Sequence, residues 1–150
     1  MDAARQQLDD AFGDFAPDIA NAGRTLLEHL GHRLPGATIL VYDNYNALLI
    51  GFAANDHAGS AVLSIALYPR WINLFFMRGV ELDDPHHLLK GEGVRVRHVP
   101  KVGPNCLDDE RIESLICQAV AIAQPPIDRS APGALIMKSV SATKRARRPL

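Results

Sequence analysis

Residues 38–77 read TILVYDNYNALLIGFAANDHAGSAVLSIALYPRWINLFFM, and the fold turns on how this stretch is divided. Four short runs rich in β-branched and aromatic residues stand out: Thr38 to Asp43, Ala47 to Ala54, Ser60 to Tyr68 and Trp71 to Met77. The connectors NYN, NDHAG and PR are turn-type residues at hairpin lengths, so the runs are expected to pair as an antiparallel meander. A fifth run, GVRVRHV from Gly93 to Val99, alternates: Val94, Val96 and His98 are assigned to one face, Arg95, Arg97 and Val99 to the other. Between the fourth and fifth runs, Asp84 and Pro85 open a short helical turn.

Helical periodicity flanks the meander. Leu8, Phe12 and Phe15 recur at helical spacing, Pro17 interrupts, and Ile19, Ala22, Leu26, Leu27 and Leu30 form a second stripe that ends at RLPGA. After the meander, Ile112, Leu115, Ile116, Ala119 and Ile122 mark a last helix from about Asp108 to Gln124, with acids at its start that suit the dipole. Pro125 and Pro126 stop it. The expected architecture is α+β: a two-layer sandwich in which a five-stranded antiparallel sheet carries the N- and C-terminal helices on one face. Residues 1–127 form the domain, and residues 128–150, small, Pro-bearing and basic, read as a flexible tail.

With helices on one face, the other is left to solvent, a partner or a covering loop. That second face, with Val62, Ser64, Ala66 and Tyr68 beside Trp71, Asn73, Phe75 and Met77, is too apolar for a pure solvent face. A ligand groove, a homodimer contact and a cover formed by the tail or a loop are the readings it admits. Tyr42, Trp71, Asn73, Arg95 and Arg97 are the residues expected to line such a groove, with Arg97 and Arg95 reaching toward Asn73 and stacking on Trp71.

Composition sets the outer bounds. The chain has 150 residues, 47% hydrophobic and 22% charged, enough for a single core. Two cysteines exclude a disulfide scaffold, and no apolar run is long enough for a membrane span. The N-terminus MDAARQQLDD lacks the basic-then-apolar build of a signal peptide, so the cytoplasm is the expected location. Acids outnumber Lys and Arg before residue 128; after Arg129 there is no acid, while Lys138, Lys144, Arg145, Arg147 and Arg148 supply five cations. The tail is read as solubilising, with nonspecific phosphate attraction as its only nucleic-acid contact, because no aromatics are interleaved with its charges.

Chemistry-bearing motifs are sparse. There is no G-x-S-x-G, neither cysteine has a neighbouring histidine, and the glycines of KGEGVRV precede a strand rather than opening a helix. No C-x-x-C or H-E-x-x-H exists; His29 and His32 share a helix C-terminus that suits histidine without a metal. An oxygen-rich cation surface is formed by Asp10 and Asp14 at i, i+4 with Asp9 beside them, or else those acids are a solvated helix face.

The stretch LFFMRGVELDDPHHLLKGEGVRVRHV, Leu74 to Val99, resembles the signature of the YdhG-like family, the domain of unknown function 1801. The match is carried by Phe75, Phe76, Gly79, Leu82, Asp84, Pro85, Leu88, Leu89, Gly91, Gly93, Arg97 and His98. The resemblance implies an α+β sandwich and a non-enzymatic cytoplasmic binding protein. Its frataxin-like members further imply weak iron binding and delivery to a partner, with Asp9, Asp10 and Asp14 as the candidates here. A small-ligand or protein-interaction module on the open sheet face is the alternative.

Overall fold

The computed structural model describes residues 2–149; Met1 and Leu150, the outer ends of the expected domain and tail, lie outside the described residues. Helix α1 (Ala3–Gly13) is opened by Asp2, whose carboxylate accepts the Arg5 N–H at 2.8 Å. Pro17 is the first residue of α2 (Pro17–Arg33), where its missing N–H leaves no intrahelical bond unmade. Four strands follow: β1 (Thr38–Asp43), β2 (Leu48–Ala53), β3 (Ala61–Leu67) and β4 (Ile72–Phe76). Then come β5 (Arg97–Val99), α3 (Glu110–Ile122) and β6 (Ala134–Val140).

The fold is α+β, but the sheet has six strands in the order β5-β4-β3-β2-β1-β6 rather than five. It is mixed: β1 pairs antiparallel with β2 and parallel with β6. The sixth strand comes from the segment expected to be a flexible tail. Its apolar run ALIMKSV covers the hydrogen-bonding edge of β1, which would otherwise lie open. The fifth strand is shorter than expected. Because β4 ends at Phe76, opposite Arg97, no strand residue pairs with Gly93 to Val96 among the described residues; the Val80 N–H donates to the Arg95 carbonyl at 3.0 Å, and Val94 is 89% exposed.

One sheet face carries the core. Val41, Ile50, Ile65 and Leu74 form one cross-strand row, and Phe52, Leu63 and Phe76 belong to the next. All are fully buried with Leu8, Phe12, Leu26 and Leu30 of the first two helices and Leu115 and Ile116 of α3. Gly23 lets α2 sit close: a Cβ there would lie 2.7 Å from Leu67 and 2.9 Å from Phe12. Arg33 of α2 meets Glu113 of α3 at 2.7 Å, linking the two helices over the sheet. At the α2–β1 turn Gly36 has φ +85° and its missing Cβ makes room for the Asp128 carbonyl.

The reverse face is less available than its composition suggests. Leu40, Ala53 and Ala66 are fully buried and Ser64 is 6% exposed, yet they lie outside the main core. Gly51, Ser64 and Ala66 are small, and the register puts half-buried Tyr42, Leu49, Phe75 and His98 beside them, long enough to roof them. Phe75 and His98 have ring centroids 5.0 Å apart. Lys138 of β6 donates to the Asp56 carbonyl at 2.8 Å, tying the β2–β3 loop to the sheet edge. No helix of the described residues is long and apolar enough to cross a membrane.

Candidate functional site

The functional geometry collects at one end of the sheet. Asp43, Leu48, Leu67 and Ile72 lie in a single cross-strand row, so the β1–β2 and β3–β4 turns emerge side by side. The first turn closes with the Asn44 N–H donating to the Ala47 carbonyl at 3.0 Å and leaves Tyr45 half exposed at its tip. In the second, the Tyr68 N–H donates to the Trp71 carbonyl at 2.9 Å around Pro69, whose fixed φ suits the position after the turn's first residue. That turn sets the Tyr68 and Trp71 rings 6.0 Å apart and holds Arg70 in solvent. Burial pushes the Tyr68 phenol above its ordinary pKa.

Parallel pairing delivers the third component. Because β6 runs alongside β1, Val140 stands opposite Asp43, and the chain after it leaves at the same end as the two turns. Residues 141–149 then form a strap across that end. The Ser141 N–H donates to the Asp43 carbonyl at 2.8 Å and the Arg145 N–H to the Tyr45 carbonyl at 3.0 Å. Arg148 caps α1 by donating to the carbonyls of Gly13 and Asp14 at 3.1 and 3.3 Å.

The strap is locked at Asp43. Its carboxylate accepts Lys144 Nζ on one oxygen and Arg147 Nη2 on the other, each at 2.7 Å. The Asp43 and Arg147 side chains are 6% and 5% exposed, so this is a buried pair, and Arg147 also donates to the Asn44 carbonyl at 2.7 Å. The guanidinium lies 5.0 Å from the Phe15 ring centroid. Its Nε and Nη1 have no hydrogen-bond partner among the described residues.

Strap and turns enclose a cleft of about 770 Å³. Tyr45, Tyr68 and Trp71 give it flat apolar walls, Arg70, Arg145 and Arg148 give it positive charge, and among the described residues no acidic side chain lines it. Arg145 touches Asn46 at 3.4 Å, and Arg70 has no ion pair or side-chain hydrogen bond among the described residues. A second cavity, about 460 Å³, opens at the opposite end around Arg78, Arg95 and α3. There the Arg78 guanidinium is neutralised by Glu81 at 2.6 Å and also donates to the Ile122 carbonyl, so its charge is spent within the fold.

The residues expected to share a sheet-face groove are not brought together. Tyr42 is on the reverse face with its hydroxyl buried and unpaired. Arg97 stands opposite Phe76 on the core side, and its guanidinium folds back onto the carbonyls of Val96, at 2.8 Å, and Gly93. It therefore reaches neither Asn73 nor Trp71. Lys101 takes that place: its ammonium lies 5.5 Å from the Trp71 ring centroid and its N–H donates to Asn73 Oδ1 at 3.1 Å. Arg95 lines the far cavity. Of the set, Trp71 alone lines the cleft, with Asn73 linked to its edge through Lys101. Of the other lining residues, the sequence places Tyr68 on the reverse face and Arg145 and Arg148 in the basic tail without joining them to a site, and Tyr45 and Arg70 are read only as turn residues; aromatic residues within the turns NYN and YPRW are the signal available.

Two of the three carboxylates expected to hold a cation are otherwise engaged: Asp9 pairs with Arg24 at 3.1 Å and Asp10 accepts from Gln6 Nε2 at 2.9 Å, while Asp14 closes the end of α1 through its backbone N–H. Among the described residues no three metal-binding side chains converge. The surroundings of Cys106 disfavour its thiolate. Burial, with Asp109 and Asp108 pushing the same way, raises the Cys106 thiol to about 11, and Cys117 is exposed on α3. Compared with models of known protein families, with curated proteins and with solved structures, the chain finds no match in any of the three.

Proposed function

We propose that the protein is a binding module for an anionic ligand that carries a planar group, held in the cleft between the two turns and the C-terminal strap. The observation that carries this reading is the lining: three aromatic rings and three arginines, with no acidic side chain among the described residues there. Aromatic faces accept a flat ring, and guanidinium groups pair with phosphate, sulfonate or carboxylate oxygens. The ligand-module reading of the sequence is kept, but its place moves from the reverse sheet face to the sheet end, where the exposed aromatics are. Tyr45 is 50% and Trp71 39% exposed, whereas the middle of the reverse face is filled. An oxygen-ligated iron site on α1 would need Asp9 to leave Arg24 and Asp10 to leave Gln6.

Trp71 is the single tryptophan of the chain and so reports on its own site. Titration with naphthalenesulfonate is expected to quench Trp71 emission, with the affinity confirmed by calorimetry. Arg145→Ala and Arg70→Ala are each expected to weaken binding by about twofold to fivefold, the reach of an exposed charge interaction. Equal affinity for neutral naphthalene, or an emission spectrum that stays constant throughout, refutes the reading.

A further inference from the structure

The cleft continues beyond its central walls. On one side it adjoins a depression of about 420 Å³ that shares Arg70 and Trp71 and adds Lys101. On the other it adjoins one of about 410 Å³ that shares Tyr45, Asn46 and Tyr68 and adds Ser139 and Ser141. Rings thus divide successive depressions: Trp71 separates the first from the central cleft, and Tyr45 with Tyr68 separates that from the third. Cations from three separate parts of the chain, Lys101, Arg70 and Arg145, accompany them. A compact ligand fills one depression. The cations line the first depression and the central cleft, while the third is lined by hydroxyls and amides and no cation among the described residues, so a chain that repeats a planar group and a negative charge matches the first two and sets a further planar group in the third.

From this we infer that the groove takes a segment of single-stranded nucleic acid a few nucleotides long. The bases lie on Trp71 and Tyr45, and the phosphates are directed to Lys101, Arg70 and Arg145. The inference rests on the ligand-binding reading above and specifies its ligand. Duplex is disfavoured because its base faces are stacked on one another, leaving the rings without a partner. Sequence preference is expected to be weak, since every base offers a flat face to the rings.

The test is fluorescence anisotropy of fluorescein-labelled decathymidylate and decauridylate on the full chain, with Trp71 emission followed in parallel. Binding of either strand is expected to fall as salt rises from about 50 to about 200 mM, with a log–log slope near −2 for three phosphates at about 0.7 each. Tyr45→Ala, at an exposed turn tip, is expected to weaken the strand by about tenfold, within the range of a lost base stack. Arg70→Ala is expected to flatten the salt slope by about 0.7. Inorganic polyphosphate competing as well as the oligonucleotide, phosphate for phosphate, or no effect of Tyr45→Ala, overturns the inference. If thymidine monophosphate and naphthalenesulfonate quench Trp71 but the decamers bind no tighter than the monophosphate, the strand is excluded and the cleft stands. If none of these probes alters Trp71 emission, both fall together.

Discussion

At Asp43 a single carboxylate answers two cations, and it does so 4% exposed to solvent. Two buried charges in mutual contact add little over a well-packed apolar pair, but stranding one is expensive. Asp43→Ala strands Arg147 against Phe15 and is expected to destabilise the protein by about 3–5 kcal/mol. Lys144→Ala, which removes a side chain 26% exposed and leaves Arg147 paired, is expected to cost about 1 kcal/mol or less. Urea unfolding of both variants checks this, and an Asp43→Ala midpoint equal to wild type would contradict it. The cysteines differ as sharply. With the Cys106 thiol raised to about 11, it is almost wholly protonated at neutral pH, while Cys117 is exposed. A disulfide reagent at neutral pH is expected to modify Cys117 rapidly and Cys106 only on unfolding. Loss of the fast phase in Cys117→Ser is the check; its persistence would place the reactive thiol at Cys106.

Among the elements, α3 has the clearest pH signature. Asp109 is its N-cap, accepts the Arg111 N–H at 2.9 Å and pairs with the Arg111 guanidinium at 2.8 Å. These contacts to Arg111 hold its carboxyl down to about 2. An unfolded aspartate titrates near about 3.9. A carboxyl depressed on folding contributes stability above its unfolded value and loses it as pH falls through the folded one. The Asp109 contribution is therefore complete above about pH 4 and fades toward about pH 2. Asp109→Asn keeps a capping oxygen but not the charge, so its stability deficit against wild type is expected to shrink over that window, as read from thermal unfolding at stepped pH. A deficit constant with pH would remove this account.

The elements also show where local pattern sufficed. In α3, Ile112, Leu115, Ile116 and Ala119 are buried as their spacing requires, and β1 to β4 pair as their hairpin connectors require. A helical stripe or a short turn is set by residues a few positions apart. β6 escaped because seven strand-forming residues sit between Pro132 and the basic run, and composition averaged over the whole segment hides them. Arg97 was misplaced for a related reason. Alternation correctly separated it from His98, but which face met the core depended on pairing with Phe76.

For the molecule as a whole, the C-terminal strap is both a clasp and a wall. Ending the chain after Val140 removes the two partners of Asp43 and the arginines Arg145 and Arg148 of the cleft. The clasp on Asp43 leaves together with the strap that covers it, so the truncated chain is expected to be less stable than wild type in urea unfolding and to lose its response to naphthalenesulfonate. A truncated chain with wild-type stability and binding would show that the strap takes part in neither.

Periodicity, hairpin connectors and capping residues by themselves determined three helices and the four-strand meander, since each is an interaction between near neighbours in the chain. The tertiary structure alone decided that Arg145 stands against Asn46, 99 positions away, and that the last arginines join Tyr45, Tyr68 and Trp71 around one cleft. That meeting depends on β6 lying parallel to β1. Parallel pairing follows from how the whole chain closes over its core, and no local pattern encodes it.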